Sequence, residues 1–284
     1  MRWLLIAFVV AGCSSLPPKE ALRRAEENSR RGRLDVAAKF YEEAADKLKG
    51  AERERALLSA ARAYYEAGLR RRAFGVYQTL FDETADKSIK EESLRRMFEI
   101  AAAFVEGRAE PSWLGVNVGW QDWGAERLAE LAERFPCLPQ AQRAWILVGR
   151  YWLGEKDYGE AEKWFGKVLR EAADVEVRQA ALFYLAECCI GQVRGVDYDA
   201  GLLERARKFL RLYLARGGAQ AKKARERLAW VQEMLAKREL KIARFYINQG
   251  KAEASKPHLR YLIKEFPDTK AAEEGRRLLV EMGK

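Results

Sequence analysis

Apolar residues in the middle of the chain recur every three or four positions, the spacing at which side chains share one face of an α-helix. One such stripe holds Trp145 and Trp152 with Gly149 between them, and a second stripe holds Ala161 and Phe165. Gly149 leaves room for a second helix, Ala161 is the small residue opposite it, and Phe165 fills the space one turn further. The pattern therefore predicts two closely packed helices joined by a short turn.

The same frame of small and aromatic residues recurs along the chain. Gly32 and Gly68 lie 36 residues apart, close to the ~34-residue period of the tetratricopeptide repeat (TPR), which this pattern resembles. Matching positions are Ala25, Ala37, Tyr41 and Ala44 in the first copy, Ala61, Tyr64, Ala73 and Tyr77 in the second, and Ile242, Ala243, Tyr246 and Gly250 near the end. We therefore predict an all-α TPR superhelical solenoid of about six helix-turn-helix units.

The six predicted units cover residues 19–49, 53–84, 88–137, 140–172, 176–216 and 237–267. An extra helix over 219–235 precedes the last unit, and a polar helix over 269–282 caps the stack, as a terminal repeat requires. Pro257 is unfavourable inside a helix, so we expect its helix to begin with Ser255 as N-cap and to hold the proline in its first turn.

Two predicted units carry insertions, at residues 108–124 and 191–201. The first insertion contains Trp113, Trp120 and Trp123, and its aromatic content argues against a disordered loop. Two interpretations remain open. The tryptophans fold back and fill the interrupted third unit, or they form a contact loop, since Trp is favoured as an anchor in protein interfaces.

The N-terminus has the layout of a secretory signal, with Arg2 followed by a short apolar run and small residues before Cys13. Residues 10–13 (Val-Ala-Gly-Cys) resemble the bacterial lipobox, which implies a signal peptide over 1–12, lipidation of Cys13 and a flexible tether over 13–18. Ser14 favours the outer membrane by resemblance to Gram-negative sorting rules, with the protein facing the periplasm. An ordinary signal peptide and a misassigned start codon are the alternatives.

The amino-acid composition limits the partners and the kinds of site that the chain can have. The chain has 284 residues, of which 49% are hydrophobic and 33% charged, and a net charge of +10 that predicts an anionic partner such as acidic protein, anionic lipid or cell-wall polymer. Three cysteines remain besides Cys13, namely Cys137, Cys188 and Cys189, and an odd number argues against a set of disulfides. We therefore expect these cysteines to be small buried apolar residues. His258 is the only histidine. No spacing suits a metal site or a nucleophile–base pair, so we predict no enzyme, no metal and no cofactor.

Residues 176–284 resemble the BamD (YfiO) family of outer-membrane assembly lipoproteins. The resemblance lies in the segments 195–199 (GVDYD), 206–210 (ARKFL), 224–228 (AxxRL), 235–240 (LAKREL), 242–246 (IAxFY) and 265–269 (EFPDT). We therefore divide the chain into N-terminal TPR units over 19–137 and BamD-like units with a capping helix over 138–284. The resemblance implies a non-catalytic scaffold whose partners are the barrel-inserting subunit and unfolded outer-membrane precursors.

In the TPR frame, the residue after the small Gly or Ala of the first helix faces the inner groove. Arg62, Arg150 and Arg244 hold that position, and Arg55 and Arg143 lie one or two turns earlier. We hypothesise a basic track that binds an acidic or C-terminal segment, because a guanidinium group donates two parallel hydrogen bonds to a carboxylate. The alternative is a set of solvated helix charges, with Arg62 paired to Glu66 four residues on.

The leading functional prediction is a lipoprotein scaffold for outer-membrane barrel assembly. The alternative is a TPR lipoprotein of another envelope machine, in pilus assembly or cell-wall coordination. Hydrolase activity is disfavoured because the carboxylates have helix-surface spacing. Nucleic-acid binding is disfavoured because the predicted compartment lies outside the cytoplasm.

Overall fold

The computed structural model describes residues 16–108, 120–195 and 199–283. These residues contain thirteen α-helices and no strand, which confirms the predicted all-α class. The helices are α1 (Pro18–Arg30), α2 (Leu34–Ala45), α3 (Gly50–Glu66), α4 (Arg70–Glu83), α5 (Lys87–Val105), α6 (Trp120–Arg134), α7 (Pro139–Gly154), α8 (Tyr158–Glu171), α9 (Val175–Gly191), α10 (Ala200–Ala215), α11 (Ala221–Asn248), α12 (Ala252–Glu265) and α13 (Lys270–Met282). Within the described ranges, no helix is both long enough and apolar enough to span a bilayer.

From α1 to α5 and from α7 to α13, each helix packs against the next helix in the chain, as TPR units require. A single turn geometry recurs at the end of α1, α3, α5, α7 and α11, where one residue has a positive φ angle. In each case the next amide donates a hydrogen bond of 2.8–2.9 Å to the carbonyl five residues earlier, which is the Schellman motif. Gly32, Gly68, Gly107 and Gly250 hold the positive-φ position, and Lys156 holds it at the fifth turn with φ 62°.

The chain forms two compact units, which we call unit 1 (Met1–Gly124) and unit 2 (Ala125–Lys284). This division falls within α6, whereas the sequence suggested residue 137. The core of unit 1 includes Tyr64, Tyr77 and Phe104, each at most 1% exposed. Burial raises the pKa of both tyrosines to about 12, and Tyr64 donates a hydrogen bond of 2.5 Å to Glu42.

The core of unit 2 is built as the apolar stripes predict. Trp145 and Phe165 are both buried, and a Cβ placed on Gly149 would lie only 2.6 Å from the Phe165 ring. The glycine therefore sets how closely α7 and α8 approach. A second cluster, formed by α9 to α13, is centred on buried residues such as Leu210 and Leu262.

Two predictions about the C-terminal helices are wrong. The extra helix and the first helix of the last unit are one continuous helix of 28 residues, α11, because no Gly or Pro interrupts residues 221–248. In addition, α12 begins at Ala252, so Pro257 lies inside it and Ser255 is buried instead of capping it. Pro257 lies on the exposed side, where water can solvate the carbonyl that the proline leaves without a partner.

The predicted insertion at 108–124 is also partly helical, because α6 starts at Trp120. Trp113 and the rest of residues 109–119 lie outside the described residues, as do Val196, Asp197 and Tyr198 in the second insertion. The signal peptide over 1–12 and Cys13 lie outside them as well.

Candidate partner-binding face

The predicted arginines lie on the first helices of the pairs: α3 in unit 1, and α7 and α11 in unit 2. We call the solvent-facing sides of these helices, taken separately in each unit, the first-helix face. Arg62, Arg150 and Arg244 are all exposed. Arg62 contacts α5, Arg150 contacts α9 and Arg244 contacts α13, in each case 30 or 34 residues further along the chain. The TPR frame therefore identified equivalent positions, but they make contacts that link successive repeats.

In unit 1, Arg62 forms a bidentate ion pair with Glu92 of α5, with N–O distances of 2.7 and 2.9 Å. Its partner is therefore Glu92, whereas the alternative interpretation paired it with Glu66. The two hydrogen bonds from Arg62 lower the pKa of the Glu92 carboxyl and raise that of the guanidinium. This guanidinium is already engaged, so a ligand carboxylate would have to displace Glu92.

In unit 2, Arg150 lies above the ring of Tyr184, with its guanidinium carbon 5.7 Å from the ring centroid. Tyr184 stacks in turn on Phe165, with an interplanar angle of 16° and 5.2 Å between ring centroids. This cation–π contact holds Arg150 through its flat face. The edge of the guanidinium, which carries the N–H donors, is not used by that contact.

Arg244 forms an ion pair with Glu274 of α13. Both residues border a cleft of about 440 Å³ between α11 and α13. The cleft is lined by Glu233, Lys237, Leu240, Lys241, Arg244, Lys270, Ala271 and Glu274. Sequence reasoning missed the lysines of this cleft. Spacing on α11 could have indicated Lys237 and Lys241, which are four residues apart, but Lys270 comes from another helix.

Arg55 and Arg143 are exposed on α3 and α7. Among the described residues, no carboxylate lies within ion-pair distance of either guanidinium group. These two arginines and Arg150 are therefore the members of the predicted track whose hydrogen-bond donors are not committed to an internal acid. Because the two units are separate compact bodies, the arginines form one set in unit 1 and another in unit 2.

The described tryptophans of the predicted contact loop pack onto unit 1. Trp123 makes edge contacts with Phe74 and Phe104, with ring centroids 5.2 and 4.8 Å apart, and Trp120 lies 5.8 Å from Phe104. Arg71 also lies over both indole rings. Each tryptophan is half-buried. These contacts favour the interpretation in which the insertion fills the third unit.

The cysteines divide into two groups. Cys188 and Cys189 are buried, and burial raises the pKa of their thiols to about 12 and about 11, so both stay protonated at neutral pH. Cys137 is exposed, and its expected burial is therefore wrong. Cys137 lies in the loop between α6 and α7, directly after Pro136. A residue of this loop is not held against the core by a helix. Over residues 16–108, 120–195 and 199–283, no cluster of His, Cys, Asp and Glu could hold a metal ion.

Comparison with known proteins places the chain in a family. No curated protein sequence matches it significantly. Two solved structures match it at low similarity. The C-terminal part of a TPR repeat-containing protein from Cytophaga hutchinsonii is 17% identical, with 91% of this chain and 87% of that chain covered and a TM-score of 0.41. PilW, a type IV pilus biogenesis factor, is 19% identical, with 90% and 97% covered and a TM-score of 0.34.

These TM-scores are too low to support any functional conclusion. The family comparison is more specific, because the model for YfiO, described as an outer membrane lipoprotein, matches residues 122–284. That segment is more than half of the chain, and it includes all the described BamD-like segments that the sequence suggested. The protein therefore belongs to the YfiO family of outer membrane lipoproteins.

Proposed function

We propose that the protein is a non-catalytic periplasmic scaffold that takes part in the assembly of outer-membrane β-barrel proteins, in a role like that of BamD. Lipid attached to Cys13 anchors it to the outer membrane. The observation that carries the proposal is the family match over residues 122–284. The helix pairs described above support it, because stacked TPR units offer extended surfaces for binding other proteins.

Partner binding is assigned to the first-helix face of unit 2, at Arg143 and Arg150. Both side chains are exposed, and Arg143 has no carboxylate partner among the described residues. A guanidinium with free donors binds a carboxylate through two parallel hydrogen bonds, which suits an acidic or C-terminal segment of a partner. Arg55 has the same character in unit 1. Arg62 and Arg244 rank behind them, because Glu92 and Glu274 already accept their hydrogen bonds.

Affinity purification from the native envelope tests the assembly role. The wild-type protein is expected to co-purify the barrel-inserting subunit, whereas Arg143→Glu/Arg150→Glu is expected to retain at most about a tenth of it, since a close charge pair is worth about 1.5 kcal/mol or more. Arg170→Glu is the matched control, because Arg170 is exposed on α8, the second helix of the same pair. It should co-purify the wild-type amount.

The purification has two informative negative outcomes. Recovery of pilus or cell-wall subunits without the barrel-inserting subunit would assign the scaffold to another envelope machine. Equal losses from Arg170→Glu and from the double variant would move the binding site away from the first-helix face.

The lipid anchor is tested separately by metabolic labelling with a fatty acid. The native chain should incorporate label, and Cys13→Ser should not. Labelling that persists in the Cys13→Ser variant would contradict acylation at this residue.

A further inference from the structure

Positive charge is concentrated at one end of the sequence. Residues 205–284 contain 21 Lys and Arg against 9 Asp and Glu, whereas residues 1–204 contain 31 against 33. The last four helices, α10 to α13, therefore carry all the excess positive charge of the protein. An imbalance of this size over so short a segment attracts polyanionic surfaces.

Part of this charge lies on the outer faces of α10 and α12 without acidic partners. Lys208, Arg211, Arg260 and Lys264 are exposed. Among the described residues, none of these four side chains is within ion-pair distance of a carboxylate. The contrast is with α1, whose glutamates pair with Arg23, Arg24 and Arg30 of the same helix and with Arg31 directly after it.

Each of the two faces also exposes one large apolar side chain. Leu212 on α10 and Tyr261 on α12 are 40% and 45% exposed, and each directly follows an exposed arginine. Lys208 and Leu212 are four residues apart, and so are Arg260 and Lys264, so the cations and the apolar side chains share one face of each helix. A face that mixes cations with a partly exposed Leu and Tyr resembles the composition of membrane-interface segments.

The two helices belong to the same body. Both pack against α11, and the guanidinium of Arg207 on α10 lies 5.4 Å from the centre of the Phe266 ring at the end of α12. The opposite faces, with Leu210 of α10 and Leu262 of α12, are buried in one core cluster. The cationic faces therefore point away from that core.

We propose that Lys208, Arg211, Leu212, Arg260, Tyr261 and Lys264, here called the basic face, bind the anionic phospholipid surface of a membrane. The family is one of outer membrane lipoproteins, so a charged lipid surface is close to the working protein. None of these residues lines the cleft between α11 and α13, where an extended acidic peptide would find a groove. Cations on the outer sides of two helices suit a broad anionic surface instead. This inference does not depend on the proposed barrel-assembly role.

Vesicle binding by the full chain carrying Cys13→Ser, which removes the acylation site, tests the proposal. It should bind vesicles of phosphatidylglycerol and phosphatidylethanolamine, bind neutral phosphatidylcholine vesicles far less, and lose binding as salt screens the charges. Each Lys or Arg near an anionic surface is worth about 1 kcal/mol, or about fivefold in partitioning. Lys208→Gln/Arg211→Gln/Arg260→Gln/Lys264→Gln should therefore partition at least about 100-fold less.

A control variant of equal charge change is Lys19→Gln/Arg30→Gln/Lys39→Gln/Lys87→Gln, in which all four residues are exposed in unit 1. It should bind anionic vesicles within about twofold of the parent, since these residues lie outside the basic face. Equal losses from both variants would overturn the proposal, since net charge alone would then explain binding. So would a basic-face variant that binds vesicles normally but loses affinity for polyglutamate, because the face would then be a site for acidic protein. Circular dichroism and thermal melting confirm that both variants are folded.

Discussion

Unit 1 and unit 2 use the same helix pairs but distribute charge in different ways. Unit 1 has 21 Lys and Arg against 19 Asp and Glu, whereas unit 2 has 31 against 23. In unit 1 many cations pair with acids on the same helix or on a later helix, as Arg62 of α3 does with Glu92 of α5. In unit 2, cations such as Arg143 and Arg211 face solvent without an acidic partner among the described residues.

The difference shows that the repeat core and the repeat surface are set independently. Small and aromatic residues decide how the helices pack, and these residues recur in both units. Surface charges that pair internally add little to stability, but they occupy groups that could otherwise bind a partner. Unit 2 leaves more such groups available than unit 1, where Arg55 is one example, and the family match covers nearly the same part of the chain as unit 2.

The largest expected effect concerns the cores, where the two units should behave alike. Phe104→Ala in unit 1 and Phe165→Ala in unit 2 each remove a fully buried ring. Each should lower the free energy of unfolding by about 3–5 kcal/mol, because the lost burial and the new cavity both destabilise the fold. Urea unfolding followed by circular dichroism measures the loss. A loss below about 1 kcal/mol for only one of the variants would show that the cores are not equivalent.

A smaller effect tests the close approach of helices in unit 2. Gly149→Ala should destabilise the protein by about 1–3 kcal/mol, because its Cβ would lie 2.6 Å from the Phe165 ring. Gly75→Ala is the matched control on α4 of unit 1, where nothing lies within 4 Å of the added Cβ. It should stabilise the protein by about 0.5–1 kcal/mol, because alanine favours the helix over glycine. Thermal melting of both variants checks whether the melting temperature falls for Gly149→Ala and rises for Gly75→Ala.

The smallest effect concerns the surface ion pair of unit 1. A double-mutant cycle of Arg62→Met and Glu92→Gln should give a coupling energy of about 0.2–1 kcal/mol at neutral pH, because the pair is partly exposed. Folding lowers the Glu92 pKa below its ordinary value of 4.5. The coupling is therefore complete above that value and is lost as the pH falls through the lower pKa of the folded state.

Unfolding measured at neutral and at acidic pH checks this dependence on pH. Arg211→Gln in unit 2 serves as the reference, with a stability change within about 0.5 kcal/mol at both pH values, since no acid among the described residues pairs with its side chain. A coupling energy that persists unchanged in acid would show that the ionised Glu92 carboxylate is not responsible for it.

The local pattern predicted much of the fold. Gly32, Gly68 and Gly250 were identified as matching positions from their place after an apolar stripe, and all three adopt the positive φ of the Schellman turn. Lys156 has the same conformation but could not be identified in this way, because lysine carries no special preference for it. The predicted start of the helix around Pro257 was wrong, because the cost of a proline is local. Burial of Leu259 and Leu262 stabilises the whole helix despite that cost.

The sequence by itself determined the helix pairs, the small residues at their contacts, the family and the excess of positive charge near the C-terminus. Those features depend on local spacing and on composition, which are the same in the unfolded and the folded chain. Only the tertiary structure decided which acid faces Arg62 and Arg244, which ring lies under Arg150, and where Trp120 and Trp123 pack. Such contacts join residues about 30 positions or more apart in most cases, so they depend on how successive helices stack, and no short-range pattern encodes that geometry.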